Sequence, residues 1–371
     1  MKKSFSVLFC LPLFLLGDDY GFSMDELDAI ETKSYEYSAY IKAQQKHQVL
    51  NESSPSYALK NKNSMDSYFG ELFFNYKYFL DKYTFNLDFS VNHENIDKVE
   101  QNSFTSNQAF VTYKYNENHQ LTVGKKTPKW GKGYFFNPAA FIDRKKDPND
   151  PEASREGYAQ LNYKYNKVFQ NDLQNLSVDL VYIKTTKGLN EDIYDDSSNI
   201  LALKTYMLYK DIDIDIIYAY SDEQENRLGV DFSTNLETNF EIHGEYGRAD
   251  DGYYSYLLGL KYLTESELTI LSEYFYQSET QARNSSFWDN RYFMNSFNQK
   301  EPFGLLYFNV YFKNMLNLDD DSYQNKIGVV YSGIKNLEID LSFSKNSGKS
   351  SSEFGGKLVD KFSWLVLKYS F

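Results

Sequence analysis

Apolar and polar residues alternate along many segments of this chain. Between residues 82 and 94, every second residue from Tyr83 to Val91 is apolar, and the residues between them are Thr, Asn, Asp and Ser. This alternation predicts a β-strand with one apolar and one polar face. The same pattern recurs at 211–220, 253–262 and 336–345.

The number of alternating segments predicts a large closed sheet. Seventeen segments carry the pattern clearly, at 34–45, 66–80, 82–92, 104–115, 119–126, 156–166, 175–186, 199–210, 211–221, 225–234, 237–248, 253–263, 266–278, 303–314, 322–332, 335–346 and 358–371. Longer polar segments separate some of them, at 46–65, 93–104, 126–155, 187–198, 279–302 and 346–356. Short polar turns separate the others, as expected when short periplasmic turns alternate with long outer loops.

Strand parity identifies one further strand. A single-chain bacterial barrel with both ends in the periplasm has an even number of strands. The turn at 332–336 is short and 346–356 is long, which fixes the directions of 322–332 and 303–314. Strand 266–278 then runs parallel to 303–314, so a strand is missing between them, and 287–297 is the candidate. We predict an all-β, antiparallel up-and-down transmembrane barrel of eighteen strands, with sixteen as the alternative.

The composition agrees with a barrel whose apolar faces contact lipid. The 371 residues include 39 Lys and Arg against 52 Asp and Glu, and aromatic residues make up 18% of the chain. The mean hydropathy is nevertheless only −0.60, because polar residues separate the apolar ones. A soluble sandwich would expose the carboxylates as an outer wall and leave sheet edges. A closed barrel has no edge and satisfies its backbone without water, as lipid requires.

The N-terminus predicts a signal peptide at 1–23, followed by a single barrel domain at 24–371. Lys2 and Lys3 precede the apolar residues 4–17, and cleavage is expected after Ser23. Cys10 would suit a lipoprotein signal, but the apolar run continues beyond it. Cleavage would remove this single cysteine, so no disulfide is expected in the mature protein.

The last strand carries a candidate assembly signal. One face of it ends on alternating apolar residues, and these are Leu365, Leu367, Tyr369 and Phe371. A C-terminal Phe preceded by an aromatic residue two positions earlier resembles the signal of bacterial outer-membrane barrels. The resemblance implies localisation in the bacterial outer membrane. It also implies the barrel-assembly machinery, outer-membrane lipid and lipopolysaccharide as partners. The alternative is a soluble sandwich that ends on a strand.

Residues 125–156 have a composition of their own. They contain four of the seven prolines and no alternation. We predict that the loop at 126–155 folds into the lumen, where it would form a constriction and bind solute. The candidate residues are Lys125, Lys126, Lys129, Trp130, Lys132, Arg144, Lys145, Lys146 and Arg155. The alternative is an external loop whose lysines bind lipopolysaccharide or stay solvated. Trp130 would be a platform for a sugar ring or, equally, a membrane anchor.

The stretch 121–138, LTVGKKTPKWGKGYFFNP, resembles the corresponding region of Gram-negative outer-membrane porin-like proteins, including the alginate-export type. That type implies a monomeric eighteen-stranded barrel with a charged lumen. An alginate exporter is expected to have a markedly basic lumen. This chain departs from that expectation, because its net charge is −13.

Alternation also predicts which charged residues face the lumen. The predicted acidic wall comprises Asp88, Asp213, Asp215, Glu241, Glu245, Glu273, Glu338 and Asp340. Opposite a basic loop, these carboxylates would set a transverse field that orients polar solutes. The alternative is that they are ordinary polar residues of a water-filled lumen.

These patterns predict a porin-like channel for hydrophilic solutes such as small ions, organic acids or oligosaccharides. The alternative is a plugged structural or partner-binding barrel in an export system. We expect no enzyme, cofactor, metal or nucleic-acid partner. None of the four histidines has a metal-ligand spacing, and there is no phosphate-binding loop or basic face for nucleic acid. His243 with Glu241 and Glu245 is the nearest approach to an acid–base cluster.

Overall fold

The computed structural model describes residues 33–60, 62–144, 146, 156–191, 193, 197–278 and 289–371. Residues 35–371 form one compact unit, and residues 1–34 form a separate one of which only Lys33 and Ser34 are described. The predicted signal peptide, Lys145 and Arg155 therefore lie outside the described residues.

Eighteen β-strands make up the compact unit. They are β1 (Tyr35–Leu50), β2 (Ser64–Leu80), β3 (Tyr83–Ile96), β4 (Val99–Lys114), β5 (His119–Lys126), β6 (Tyr158–Val168), β7 (Leu173–Thr185), β8 (Ser198–Tyr209), β9 (Ile212–Ser221), β10 (Arg227–Glu237), β11 (Phe240–Ala249), β12 (Tyr254–Leu263), β13 (Leu268–Gln277), β14 (Arg291–Lys300), β15 (Phe308–Asn317), β16 (Ser322–Ile334), β17 (Leu337–Ser347) and β18 (Val359–Ser370). Two short 3₁₀ turns lie at Tyr57–Leu59 and Pro302–Gly304. No helix in the described part of the chain is long and apolar enough to cross a membrane.

Each strand pairs antiparallel with its neighbours in the chain, and β1 pairs with β18 to close the sheet. The prediction of an eighteen-stranded up-and-down barrel is confirmed, and the sixteen-stranded alternative is wrong. The strand inferred from parity at 287–297 is β14, Arg291–Lys300. Closure leaves no unpaired first or last strand, because Tyr40 on β1 lies opposite Ser370 on β18.

Several boundaries predicted from the sequence are wrong. β1, predicted to end at residue 45, continues to Leu50. The segment 93–104 was expected to be a loop, but β3 and β4 continue through it to a two-residue turn at Asp97 and Lys98, both with positive φ. Polar residues on both faces suit strands that extend beyond the apolar belt into water. The strand expected at 303–314 begins at Phe308, because the 3₁₀ turn Pro302–Gly304 precedes it.

The apolar faces of the strands lie on the outside of the barrel. Leu258 and Ile327 are 58% and 52% exposed there. The intervening polar side chains face the lumen, and Asp215 and Glu273 among them are fully buried. This arrangement agrees with lipid as the medium around the outer surface.

The two rims of the barrel differ. At the rim where β1 begins and β18 ends, the connections have two to seven residues; we call it the short-turn rim. The opposite, long-loop rim carries the 31-residue connection 127–157 between β5 and β6. It also carries the connections 51–63 and 348–358.

Candidate functional site

We call the connection 127–157 the inserted segment; its described residues are 127–144, 146, 156 and 157. This described part enters the lumen, where Glu245 of β11 binds its backbone. The backbone N–H groups of Gly133 and Ala139 donate hydrogen bonds to the Glu245 carboxylate at 2.5 and 3.1 Å. Glycine is required for this approach: a Cβ on Gly133 would lie 2.4 Å from a methyl group of Leu257. Gly131 has φ +89° and lies against the same carboxylate. The Trp-Gly-Lys-Gly sequence thus brings the backbone directly onto the wall.

Glu273 of β13 provides a second anchor. Its carboxylate accepts hydrogen bonds from the backbone N–H groups of Tyr134, Phe135 and Phe136, the last two at 2.9 and 3.3 Å. It also lies 2.9 Å from Nε2 of His243. Glu245 and Glu273 together engage five consecutive or nearby N–H groups of the inserted segment. These two residues of the predicted acidic wall therefore bind backbone.

Several basic residues of the segment also have partners. Lys132 lies 3.3 Å from the buried carboxylate of Asp215. Lys204, on strand β8 of the barrel wall, lies 3.1 Å from the same carboxylate. Lys146 donates to the carbonyl of Gly133. Lys125 and Arg144 both pair with Glu156 at the end of the segment. Lys132 and Arg144 of the segment are thus paired with carboxylates.

An apolar cluster supports the first half of the segment. Trp130 is 4% exposed and packs with inward-facing residues of β7, β8 and β9. These wall residues are Val181, Ile183, Ile200, Ala202, Ile217 and Ala219. Trp130 thus lies in a core between segment and wall, which leaves little of its ring for a sugar or for the membrane interface.

A second apolar cluster joins the segment to another inward-folded loop. Phe136 stacks on Phe275 with ring centroids 4.6 Å apart, and Phe354 of the connection 348–358 belongs to the same cluster. In that connection the Glu353 carboxylate accepts a hydrogen bond from the Tyr292 hydroxyl at 2.7 Å. Burial raises the pKa of the Glu353 carboxyl above its ordinary value. The sequence predicts a polar connection at 346–356 but does not predict that it folds into the lumen.

The apolar lumen residues did leave a signal in the sequence. At 180–183 and 200–203 the alternation gives way to continuous Leu, Val, Ile, Tyr and Ala. A continuous apolar run indicates a strand that is buried on both faces. In a barrel, that requires lipid outside and protein inside, so these runs mark the wall that receives the segment.

The remaining acidic residues are dispersed. Asp88 is buried beside Asn107 and Gln108 of β4. Asp213 and Glu241 line a cavity of about 400 Å³ together with Lys132 and Tyr134. Glu338 and Asp340 face the open part of the lumen. The eight carboxylates thus lie in different surroundings and do not form one wall opposite the basic segment.

The open part of the lumen lies along β1–β4 and β14–β18. It is a cavity of about 990 Å³ that reaches from Gln48 and Glu94 near the long-loop rim to Asn309 and Lys368 near the short-turn rim. We call it the passage. Its charged lining residues are Lys42, Lys46, Lys313, Lys326, Lys368, Glu71, Glu94, Glu156, Glu338 and Asp340. In the described part of the chain, five cations and five anions therefore face the same space.

Four of the nine predicted constriction residues line a different cavity, on the other side of the segment. Lys126, Lys129, Trp130 and Lys132 line a cavity of about 370 Å³ against β5–β8. Among the described residues of the segment, it is Glu156 that lines the passage. The strand lysines of the passage were not chosen as candidates from the sequence, since alternation assigns a face and does not show which part of the lumen stays open.

No protein-family model matches the chain, and no curated protein matches it. Solved structures match its fold. Wzi of Escherichia coli, an outer-membrane protein involved in group 1 capsule assembly and a carbohydrate-binding β-barrel, has a TM-score of 0.59 and 9% identity, covering 93% of this chain and 86% of Wzi. OccAB4 of Acinetobacter baumannii has a TM-score of 0.59 and 11% identity, and the match covers 92% of this chain and 99% of OccAB4. A mutant of the Rh. blastica porin has a TM-score of 0.52 and 10% identity, and the match covers 91% of this chain and 100% of that porin.

These likenesses show that the chain has the fold of outer-membrane porins. The resemblance to porin-like barrels drawn from the sequence is thereby confirmed as a resemblance of fold. The narrower resemblance of 121–138 to the alginate-export type stays a prediction.

Proposed function

We propose that the protein is a porin-like channel of the bacterial outer membrane that passes small hydrophilic solutes. The observation that carries the proposal is the passage, whose lining residues extend from near one rim of the barrel to near the other. Its lining of charged and amide side chains suits solutes that exchange water for polar groups. The neighbouring folds agree with this location and with a protein that is not an enzyme.

The C-terminal strand supports assembly in that membrane. Leu367, Tyr369 and Phe371 are 39%, 42% and 59% exposed on the outside of the barrel. Tyr369 and Phe371 also contact each other edge to face at 5.1 Å. An exposed aromatic end at the short-turn rim is accessible to assembly machinery in the periplasm, and the outer belt contacts lipid and lipopolysaccharide.

A plugged structural or partner-binding barrel is the second candidate. The observation that favours it is the pair of apolar clusters, which fix the inserted segment and the connection 348–358 inside the lumen. Such packing fills one side of the lumen. The residues of these two clusters are not among the described residues that line the passage, most of which carry charged, amide or hydroxyl groups.

Conductance separates the two candidates. Purified protein is incorporated into a planar bilayer under a KCl gradient, and single-channel steps and the reversal potential are recorded. The channel proposal predicts stable open steps. Correctly folded protein that never conducts would contradict the proposal and support the plugged barrel.

A further inference from the structure

A stripe of aromatic rings runs along the passage, each ring beside a lysine. Trp364 on β18 lies 4.4 Å from the ammonium group of Lys326, measured to the ring centroid. Nearer the short-turn rim, Tyr40 on β1 lies 4.6 Å from that of Lys368. Inward-facing aromatic rings are unnecessary for a merely water-filled lumen, which needs only polar residues. The stripe therefore indicates a solute that packs against the faces of aromatic rings.

The ring of Tyr311 is fixed in place by its neighbours. It lies flat across Gly328 of the next strand, where a Cβ would approach the ring to 2.3 Å. Its hydroxyl donates to both oxygens of Asp340 at 3.1 Å. Lys326, only 8% exposed, lies between Tyr311 and Trp364, at 5.8 and 4.4 Å from their rings. Apolar faces, hydrogen-bond donors and a carboxylate acceptor thus converge on one part of the passage.

A second ring site lies farther along the same wall. Tyr40 stacks on Phe73 with centroids 4.8 Å apart and planes 10° from parallel. Tyr40 lies opposite Ser370, which is six residues from Trp364 along β18. At about 3.3 Å per residue, the two sites are separated by about 20 Å along the strand. A solute that touches both is elongated.

The balance of charge indicates that this solute is neutral. Because five lysines and five carboxylates line the passage among the residues that the structure describes, a polyanion or polycation meets as many repulsive as attractive groups there. An apolar solute would desolvate these charges without replacing their hydrogen bonds. A neutral molecule with C–H faces and many hydroxyl groups satisfies both the rings and the charged groups.

We propose that the stripe formed by Trp364, Tyr311 and Tyr40 with Lys326 and Lys368 is a binding track for a neutral oligosaccharide. The proposal rests on the channel function and names its solute class. Sugar rings pass the two aromatic sites in turn, with hydroxyl groups bonded to the ammonium and carboxylate groups between them.

The test measures how sugars reduce the conductance of the reconstituted protein. Maltotetraose is the probe. Glucose serves as the single sugar ring, sorbitol as an open-chain polyol and an oligogalacturonate as an acidic chain. The proposal predicts reversible block by maltotetraose at concentrations at least tenfold below those of glucose or sorbitol. Stronger block by the oligogalacturonate than by maltotetraose would overturn the assignment to neutral sugars.

Variants assign the block to the stripe. Trp364→Ala and Tyr40→Ala are each expected to raise the half-blocking concentration about tenfold, or about 1.4 kcal/mol, while Trp364→Phe restores most of the affinity. The matched control is Phe303→Ala, whose ring is fully exposed at the short-turn rim outside the passage. Channels that conduct normally but show the same block in Trp364→Ala would overturn this proposal and leave the channel function intact.

Fluorescence gives an answer even if the protein does not conduct. In a Trp130→Phe, Trp288→Phe background, Trp364 is the single tryptophan, and the track predicts a saturable change in its emission with maltotetraose. No change in folded protein would overturn the track. A saturable change without conductance would retain the track and contradict the channel function.

Discussion

Replacing Glu245 and Glu273 together with alanine tests whether these two carboxylates hold the inserted segment inside the lumen. The change removes the acceptors of five backbone N–H groups between Gly133 and Ala139. It leaves the apolar contacts of Trp130 and Phe136 in place. The segment is therefore expected to detach more often while the barrel stays assembled.

The magnitude follows from the number of bonds. A buried hydrogen bond to a charged group contributes about 1.5–3 kcal/mol, but lumen water can replace part of what each N–H loses. We estimate a loss of about 3–5 kcal/mol for the five together, close to the cost of breaking a buried ion pair. At 1.4 kcal/mol per factor of ten, the ratio of docked to detached segment falls by about two to three and a half powers of ten.

Single-channel recording and limited proteolysis measure this shift. The double variant is expected to show larger and noisier conductance steps, and cleavage within the inserted segment at lower protease concentrations. Glu245→Gln with Glu273→Gln keeps carbonyl acceptors and should fall between the double alanine variant and the native protein. Glu237→Ala, an exposed carboxylate at the end of β10, is the control. Native conductance, noise and protease resistance in the double alanine variant would refute the anchoring role.

Four further changes test other parts of the account. Four lysines of the segment are replaced with Gln, namely Lys129, Lys132, Lys145 and Lys146. Because Lys129, Lys132 and Lys146 line cavities other than the passage, the reversal potential is expected to change little, and a clear shift toward cation selectivity would show that these charges face the current. Tyr369→Ser with Phe371→Ala should lower the amount of assembled, heat-modifiable barrel without altering single-channel conductance; normal assembly would contradict the signal. Trp130→Ala should cost up to about 3–5 kcal/mol of segment docking and increase proteolysis, whereas Trp130→Phe should cost less. Because burial raises the pKa of Glu353 above 4.5, its contribution to docking of 348–358 is complete below pH 4.5 and is lost as pH rises through the raised pKa. The protection of that loop from hydrogen exchange, after correction for the intrinsic pH dependence of amide exchange, should therefore increase on acidification, and Glu353→Gln should remove this increase.

The barrel itself could be predicted from the sequence because each membrane-spanning strand has two different environments. Alternation in strands such as Ile212–Ser221 reports lipid on one side and lumen on the other. Parity then required β14, whose own pattern was weak. The extensions of β3 and β4 beyond the apolar belt were missed, since both faces of residues 93–104 are polar.

The arrangement within the lumen was only partly predictable. Composition marked residues 126–155 as unusual, and their insertion into the lumen was one of two alternatives. The anchors Glu245 and Glu273 bind backbone groups that are 106–139 residues away in sequence, and a backbone N–H leaves no mark in composition. Alternation with Leu367 and Tyr369 puts Lys368 on the lumen face of β18, but it does not show that this side of the lumen remains open, because that depends on where the segment docks.

Cysteine accessibility tests most directly whether solute moves along the passage. In a Cys10→Ser background, Gln44→Cys places a thiol in the passage on β1, and Asn166→Cys places one in the cavity on the opposite side of the segment. A bulky methanethiosulfonate reagent is added during single-channel recording. We predict a stepwise, irreversible fall in conductance for Gln44→Cys and little change for Asn166→Cys. The reverse pattern, or block at neither position in labelled protein, would contradict a route along β1–β4 and β14–β18.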